Sequence, residues 1–249
     1  MNIDEYLENG HQAIQRKDYH TALEWFTQAI RLDSQNPEVY ISRGNTYRRI
    51  EKYKLAFDDY NQAISLEPDF AKSYYQRGNT YGKLEEYDKA IKDLSTAITL
   101  NSKYSDAYNN RGMIYYILGD HHNALRDYDM AISTKSNLPE AYNNRGLTHN
   151  HLENYEVALE DYNEAIRLKS TFTHAYYNRG NVYDDLDRLE EAIESYSQAI
   201  QLDSSFVEAY HNRGVVYEKL GEKLLAKKDF ESAERLFFLE KDQPNINMG

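Results

Sequence analysis

The dipeptide Arg-Gly falls at Arg43-Gly44, Arg77-Gly78, Arg111-Gly112, Arg145-Gly146, Arg179-Gly180 and Arg213-Gly214, each 34 residues after the last. A fixed period of this length marks a stacked repeat architecture and constrains the fold before any local feature does. One step back lands on Gly10. Seven units without insertion follow, at 3–36, 37–70, 71–104, 105–138, 139–172, 173–206 and 207–240, with a polar tail at 241–249.

Three small columns never vary. Position 8 is Gly10, Gly44, Gly78, Gly112, Gly146, Gly180 and Gly214, and positions 20 and 27 are alanine in every unit, as in Ala56 and Ala63. Large residues fill position 4 and usually positions 11, 17 and 24. All but Tyr75, Tyr104, Tyr116 and Tyr177 of the 24 tyrosines stand in these four columns. Spacings of four and three place positions 4, 8 and 11 on one helical face and positions 20, 24 and 27 on another. Glycine in mid-helix costs ~1 kcal/mol relative to alanine, so its recurrence predicts a close approach of two helices, with small residues opposite rings. Each unit reads as helix A, a short turn, helix B and a polar link. The four prolines suit a chain that is mostly helix.

The run Tyr40, Gly44, Tyr47, Tyr53, Ala56, Tyr60, Ala63 and Pro68 resembles the tetratricopeptide repeat consensus, and the resemblance covers residues 3–240. Departures are Ser34, Ser102, Ser136, Ser170 and Ser204 for the consensus proline, His149 at position 11 and Lys223 at position 17. The resemblance implies an all-α fold, a right-handed superhelical α-solenoid of seven antiparallel helix-turn-helix repeats. It also implies that a stripe of helix A at positions 2, 5, 9 and 12, with 6 and 13 beside it, lines a concave groove that holds an extended segment of a partner protein.

Position 6 along that stripe reads Glu8, Ser42, Gln76, Asn110, Asn144, Asn178 and Asn212; position 9 adds Asn45, Asn79 and Asn181, and position 5 adds Asn109 and Asn143. Asparagine is a mediocre helix former, and its amide offers donors and an acceptor together. A ladder of such amides could hold a peptide backbone whatever its sequence. It is similar to the asparagine ladder of the tetratricopeptide part of the transferase that places N-acetylglucosamine on serine and threonine. The other reading is that Asn-Arg-Gly is a dialect inherited by duplication. Arg48, Arg49, Lys72 and Lys83 lie on the stripe early in the chain and Asp184, Asp185 and Glu218 late, with His174 and His211. These charges are either solvated surface or a means of fixing a ligand's direction. Tyr75, Tyr116 and Tyr177 are candidate apolar anchors. Relatives that grip the C-terminal carboxylate of chaperones need cations where this chain has Tyr75, Glu140 and Asn144, so Asn79 and Asn110 alone do not make that clamp.

Arginine at position 7 and aspartate at position 23 covary. Asn9 and Trp25 replace both in the first unit, and only Arg179, with Ser195, breaks the match. The pattern predicts an Arg–Asp pair inside each hairpin rather than a ligand contact.

No Walker loop, Gly-x-Ser-x-Gly or His-Glu-x-x-His occurs, and the chain has no cysteine, so catalysis, cofactors and metal binding are not expected. A net charge of -12 lacks the basic footprint of a nucleic-acid binder and disfavours an anionic membrane. No signal-like start and no long apolar run point to a cytoplasmic protein. Leu236-Phe237-Phe238-Leu239 near one end and Trp25-Phe26 near the other suggest self-association through the terminal repeats. The two function classes are a scaffold that binds a peptide in its groove and an assembly subunit that works through its ends.

Overall fold

The computed structural model describes residues 1–241, with Glu240 and Lys241 described by their backbone alone. The tail predicted at 242–249 lies outside the described residues. Fourteen helices form seven hairpins: α1 (Ile3–Gln15) with α2 (Tyr19–Leu32), α3 (Pro37–Arg49) with α4 (Tyr53–Leu66), α5 (Ala71–Lys83) with α6 (Tyr87–Leu100), α7 (Ser105–Ile117) with α8 (His121–Thr134), α9 (Pro139–His151) with α10 (Tyr155–Leu168), α11 (Thr173–Asp185) with α12 (Leu189–Leu202), and α13 (Val207–Lys219) with α14 (Lys223–Lys241). There is no strand among the described residues. The hairpins form two compact units, Met1–Thr134 and the part from Lys135 onward. Within each unit, helix B of one hairpin packs on helix A of the next.

Each helix A closes on a left-handed residue at position 15: Lys17, Glu51, Glu85, Glu153 and Asp187 at φ between 56 and 60°, and Gly119 and Gly221 at 77 and 81°. The reversed chain then donates back to the helix end, as Lys52 N–H does to the Tyr47 carbonyl at 2.9 Å. This turn sets the two helices antiparallel at constant length.

Inside the hairpin the invariant glycine receives the position-24 ring. A Cβ on Gly180 would stand 2.6 Å from Tyr196, and one on Gly44 2.7 Å from Tyr60. Both rings are fully buried. Between hairpins the seam differs from the one read in the sequence. Positions 3 and 10 of helix A are the closed columns: Val39, Ser73, Ala107, Ala141, Ala175 and Ala209, then Thr46, Thr80, Ile114, Thr148, Val182 and Val216, all buried. They face position 21 and 28 side chains of the preceding helix B, such as Ile91 and Ile98 against Ala107 and Ile114. The position 4 and 11 tyrosines, expected in that core, are for the most part only half-buried.

Those tyrosines enclose the arginine column. Arg111 lies 5.8 Å from the Tyr108 ring centre and 5.9 Å from that of Tyr115, and Arg43 is 5.9 Å from both Tyr40 and Tyr47. The paired aspartates accept two bonds each: Arg43 to Asp59 at 2.9 and 2.7 Å, Arg77 to Asp93 at 2.6 and 2.8 Å, Arg111 to Asp127 at 2.7 and 2.8 Å, Arg145 to Asp161 at 3.0 and 2.6 Å, and Arg213 to Asp229 at 2.7 and 2.9 Å. The expected pairs are therefore present as planar forks. The remaining Nη1 reaches back to position 25 of the preceding hairpin: Arg77 to Asn61, Arg111 to Ser95 and Arg213 to Ser197. One guanidinium thus joins two helices B, which the sequence reading did not foresee. In the sixth hairpin Arg179 has Ser195 Oγ at 3.1 Å and Asn163 Oδ1 at 2.8 Å, and Glu194 is exposed beside it without bonding to it.

Candidate functional site

The stripe at positions 2, 5, 9 and 12, with 6 and 13, is not uniformly open. Position 5 alone ranges from the fully buried Ile41, through the buried Asn109 and Asn143, to the exposed His211. Tyr75 and Tyr177, expected as exposed anchors, are half-buried. Tyr75 stacks on Tyr104 at 4.7 Å, and Tyr177 packs on Phe206 at 4.9 Å and Tyr196 at 5.9 Å. Burial raises the Tyr75 phenol above its usual pKa. The ring of Tyr116 lies 5.5 Å from His121 and is likewise half-buried. Tyr75 and Tyr177 close the spaces between hairpins, because the link after helix B brings a second ring against each.

The asparagines bond first to one another and to their own hairpins. Asn110 Nδ2 donates to Asn79 Oδ1 at 2.9 Å and to the Tyr75 hydroxyl at 3.2 Å. Asn212 Nδ2 repeats this with Asn181 Oδ1 at 3.0 Å and the Tyr177 hydroxyl at 3.1 Å. Tyr60 and Tyr196 donate to Asn45 and Asn181 Oδ1, both at 2.8 Å. Asn178 Nδ2 donates to Asn143 Oδ1 at 3.0 Å, and Asn144 Oδ1 accepts from Asn143 at 3.4 Å. These bonds fix which end of each amide faces inward. At position 9 the oxygens of Asn45, Asn79 and Asn181 are held; the Asn79 amide also bonds the Tyr75 hydroxyl, and the Nδ2 groups of Asn45 and Asn181 have no partner among the described residues. At position 6 the nitrogens of Asn178 and Asn212 are held and their oxygens have none. Asn45 and Asn181 at position 9 thus offer donors, and Asn178 and Asn212 at position 6 offer acceptors.

Several of the stripe charges also have internal partners. Lys72 pairs with Glu38, Lys83 with Glu51 at 3.5 Å, and Asp184 with Lys219 at 2.6 Å. Arg48, Arg49 and Asp185 form no ion pair among the described residues. Arg48 Nε is buried without a hydrogen-bond partner there. The Asp185 carboxyl is held above the usual carboxylate value, by desolvation first and by the Asp184 charge second.

Two recesses gather these groups, one in each unit. In the first, Arg48, Lys83, Asn79 and Asn110 surround a pocket of about 330 Å³ walled by Met113 and Ile117. Its floor is Gly82, where a Cβ would come 3.5 Å from Ile114. In the second, Asn181, Asn212, Asp184 and Asp185 surround about 230 Å³. One recess is basic and the other acidic.

The terminal hairpins carry the residues from which self-association through the terminal repeats is expected. The columns that pack on a neighbour turn polar at both ends. Glu5 and Gln12 occupy positions 3 and 10 of α1, and Lys227 and Glu234 occupy positions 21 and 28 of α14, where the other hairpins carry Leu, Ile or Phe. A second copy continuing the stack would meet them as Lys227 against Glu5 and Glu234 against Gln12, a polar seam in place of the apolar one inside the array. Phe237, Phe238 and Leu239 are exposed as expected, but they extend beyond that face. No helix among the described residues is long and apolar enough to cross a membrane.

No curated protein matches the chain by sequence. Among solved structures, a tetratricopeptide repeat protein from Parabacteroides merdae is 22% identical, covers 94% of this chain and 93% of its own length, and superposes with a TM-score of 0.69. YrrB, described as a TPR protein with an unusual peptide-binding site, is 24% identical over 75% of this chain and 96% of its own, at 0.58. PilF of Pseudomonas aeruginosa is 15% identical over 89% of this chain and 97% of its own, at 0.73. These likenesses show the α-solenoid fold. At the sequence level, profiles of the TPR repeat match residues 10–50, 44–85 and 182–221, and profiles of the tetratricopeptide repeat match 71–104, 105–138, 139–172 and 207–237. With most of its length covered in phase with the 34-residue period, the chain belongs to the tetratricopeptide repeat family, whose arrays act as scaffolds for protein–protein interaction.

Proposed function

We propose that this protein is a non-catalytic scaffold that holds an extended segment of a partner protein along the inner stripe of its A helices. The observation that carries this reading is the orientation of the asparagines. A peptide backbone presents carbonyls and N–H groups in alternation. In the second unit the stripe opposes them with the Nδ2 donor of Asn181 and the oxygens of Asn178 and Asn212, and in the first with the Nδ2 donor of Asn45. Backbone reading supplies affinity without sequence preference. The two recesses add preference, acidic side chains suiting Arg48 and Lys83 and basic ones suiting Asp184 and Asp185.

The test changes the free atom of the amide and keeps the bonded one. In Asn45→Asp with Asn181→Asp, the internal acceptor remains and the free donor becomes an acceptor. Peptides selected from a random-sequence display library should bind this double variant about tenfold more weakly, from two lost bonds of ~0.5–1.5 kcal/mol each. Asn45 bonds the Tyr60 hydroxyl that Arg48 also reaches, and Asn181 lies beside Asp184, so added charge acts oppositely at the two sites while the donor loss is common. Unchanged affinity with unchanged helicity would reject backbone reading.

A further inference from the structure

The link residue at position 34 changes character along the chain. Asn2 and Asn36, ahead of α1 and α3, cap those helices with their side chains. Phe70, Tyr104, Leu138, Phe172 and Phe206 precede later A helices and make no side-chain cap. Giving up a cap is unfavourable, and ring contacts show what replaces it. Tyr104 packs on Tyr75 and against the buried cluster that contains Leu94 and Ala97, and Phe206 lies 4.9 Å from Tyr177 and 5.4 Å from His174. In both hairpins the link inserts an aromatic side chain over position 5 of helix A. In the hairpin of α5 and α6, the same side chain also packs against the buried cluster to which positions 24 and 27 of helix B belong.

Among the described residues the seventh hairpin has no such link, because α14 continues as helix through position 34. Its positions 5, 24 and 27 are His211, Phe230 and Ala233. With Tyr177, Val207 and Phe237 they line a groove of about 710 Å³. Glu208 and Glu234 stand on its rim, and Asn212 joins it to the recess holding Asp184 and Asp185. We infer that this groove receives an aromatic side chain from a partner peptide, with a basic residue beside it on the acidic rim. The chain itself shows the fit: in the hairpin of α5 and α6 it sets its own Tyr104 against position 5 and the cluster that includes positions 24 and 27, while residues 242–249 contain no aromatic residue. The inference rests on the proposed peptide-binding role and names the guest at one end of it.

The probe is a fluorescein-labelled heptapeptide with one tryptophan between lysines, compared with its alanine twin by fluorescence polarisation. Burying the ring should make the tryptophan probe bind the full chain at least about tenfold more tightly. Phe237→Ala should erase that preference, and Glu208→Lys with Glu234→Lys should weaken the tryptophan probe about tenfold, both with helicity unchanged. A chain ending at Lys241 should bind as the full chain does. Equal binding of the two probes, a preference that survives Phe237→Ala, or binding by the shortened chain only would each overturn the inference. Library-selected peptides that respond to the asparagine changes without favouring an aromatic residue would overturn it and leave the backbone-reading role standing. Failure of both tests would remove both.

Discussion

Replacing Asp127 by alanine isolates what an arginine fork contributes. Asp127 is the counter-charge of Arg111, whose side chain is 18% exposed against 4% for the aspartate. The substitution removes bonds of 2.7 and 2.8 Å and leaves the 2.8 Å bond to Ser95 and the two tyrosine faces. Burial acts to lower the Arg111 pKa, and the Asp127 bonds and charge outweigh it, so the guanidinium stays above its usual value. Removing one partner of a buried pair costs about 3–5 kcal/mol. Residual exposure and the retained contacts reduce this to about 2–4 kcal/mol, since a partly solvated charge is screened. An apolar replacement of both, Arg111→Met with Asp127→Leu, should stay within about 1 kcal/mol of the parent. Urea unfolding followed by circular dichroism would read both changes as midpoint shifts at constant slope. The reciprocal change, Ser195→Asp, gives Arg179 the fork it lacks and should raise stability by ~0.5–1.5 kcal/mol. A single variant costing under about 1 kcal/mol, or a double variant as damaged as the single one, would refute the assignment of the fork as a matched buried pair.

Two further predictions separate backbone from packing effects. Gly180→Ala places a Cβ 2.6 Å from the buried Tyr196 and should destabilise by ~1–3 kcal/mol through overpacking. Gly82→Ala, with its nearest neighbour at 3.5 Å, should instead gain up to ~1 kcal/mol from helix propensity; thermal melts of both variants check the contrast in sign. Glu85→Gly and Glu153→Gly relieve left-handed residues at φ 59° and should each stabilise by ~0.5–1 kcal/mol, the penalty for a side chain there exceeding the entropy cost of glycine. Additive shifts in the urea midpoint of the double variant would support this.

The helices were legible because the 34-residue period and the 4-8-11 and 20-24-27 spacings repeat seven times, and the Arg–Asp forks were legible because Trp25 and Asn9 vary together. The buried columns at positions 3 and 10 were not. Their residues are small or β-branched, and Ser73, Thr46, Thr80 and Thr148 look polar. Thr46 and Thr80 are nevertheless buried, since each hydroxyl is satisfied by the carbonyl four residues earlier. Tyr75 and Tyr177 were misplaced for a related reason. Their column is open or closed according to the link residue 29 positions later, a dependence between hairpin ends that helical periodicity does not carry. For the asparagines the residue type was readable but the direction of each amide was not, because it is set by neighbours one repeat away.

The terminal columns carry a consequence for engineering the array's length. A duplicate of residues 71–104 placed between Tyr104 and Ser105 would meet apolar partners on both sides, since Ile91 and Ile98 already face Ala107 and Ile114. The same duplicate placed after α14 would press Ser73 and Thr80 onto Lys227 and Glu234 and gain little. Growth of this molecule is therefore favoured from the middle and resisted at its tips.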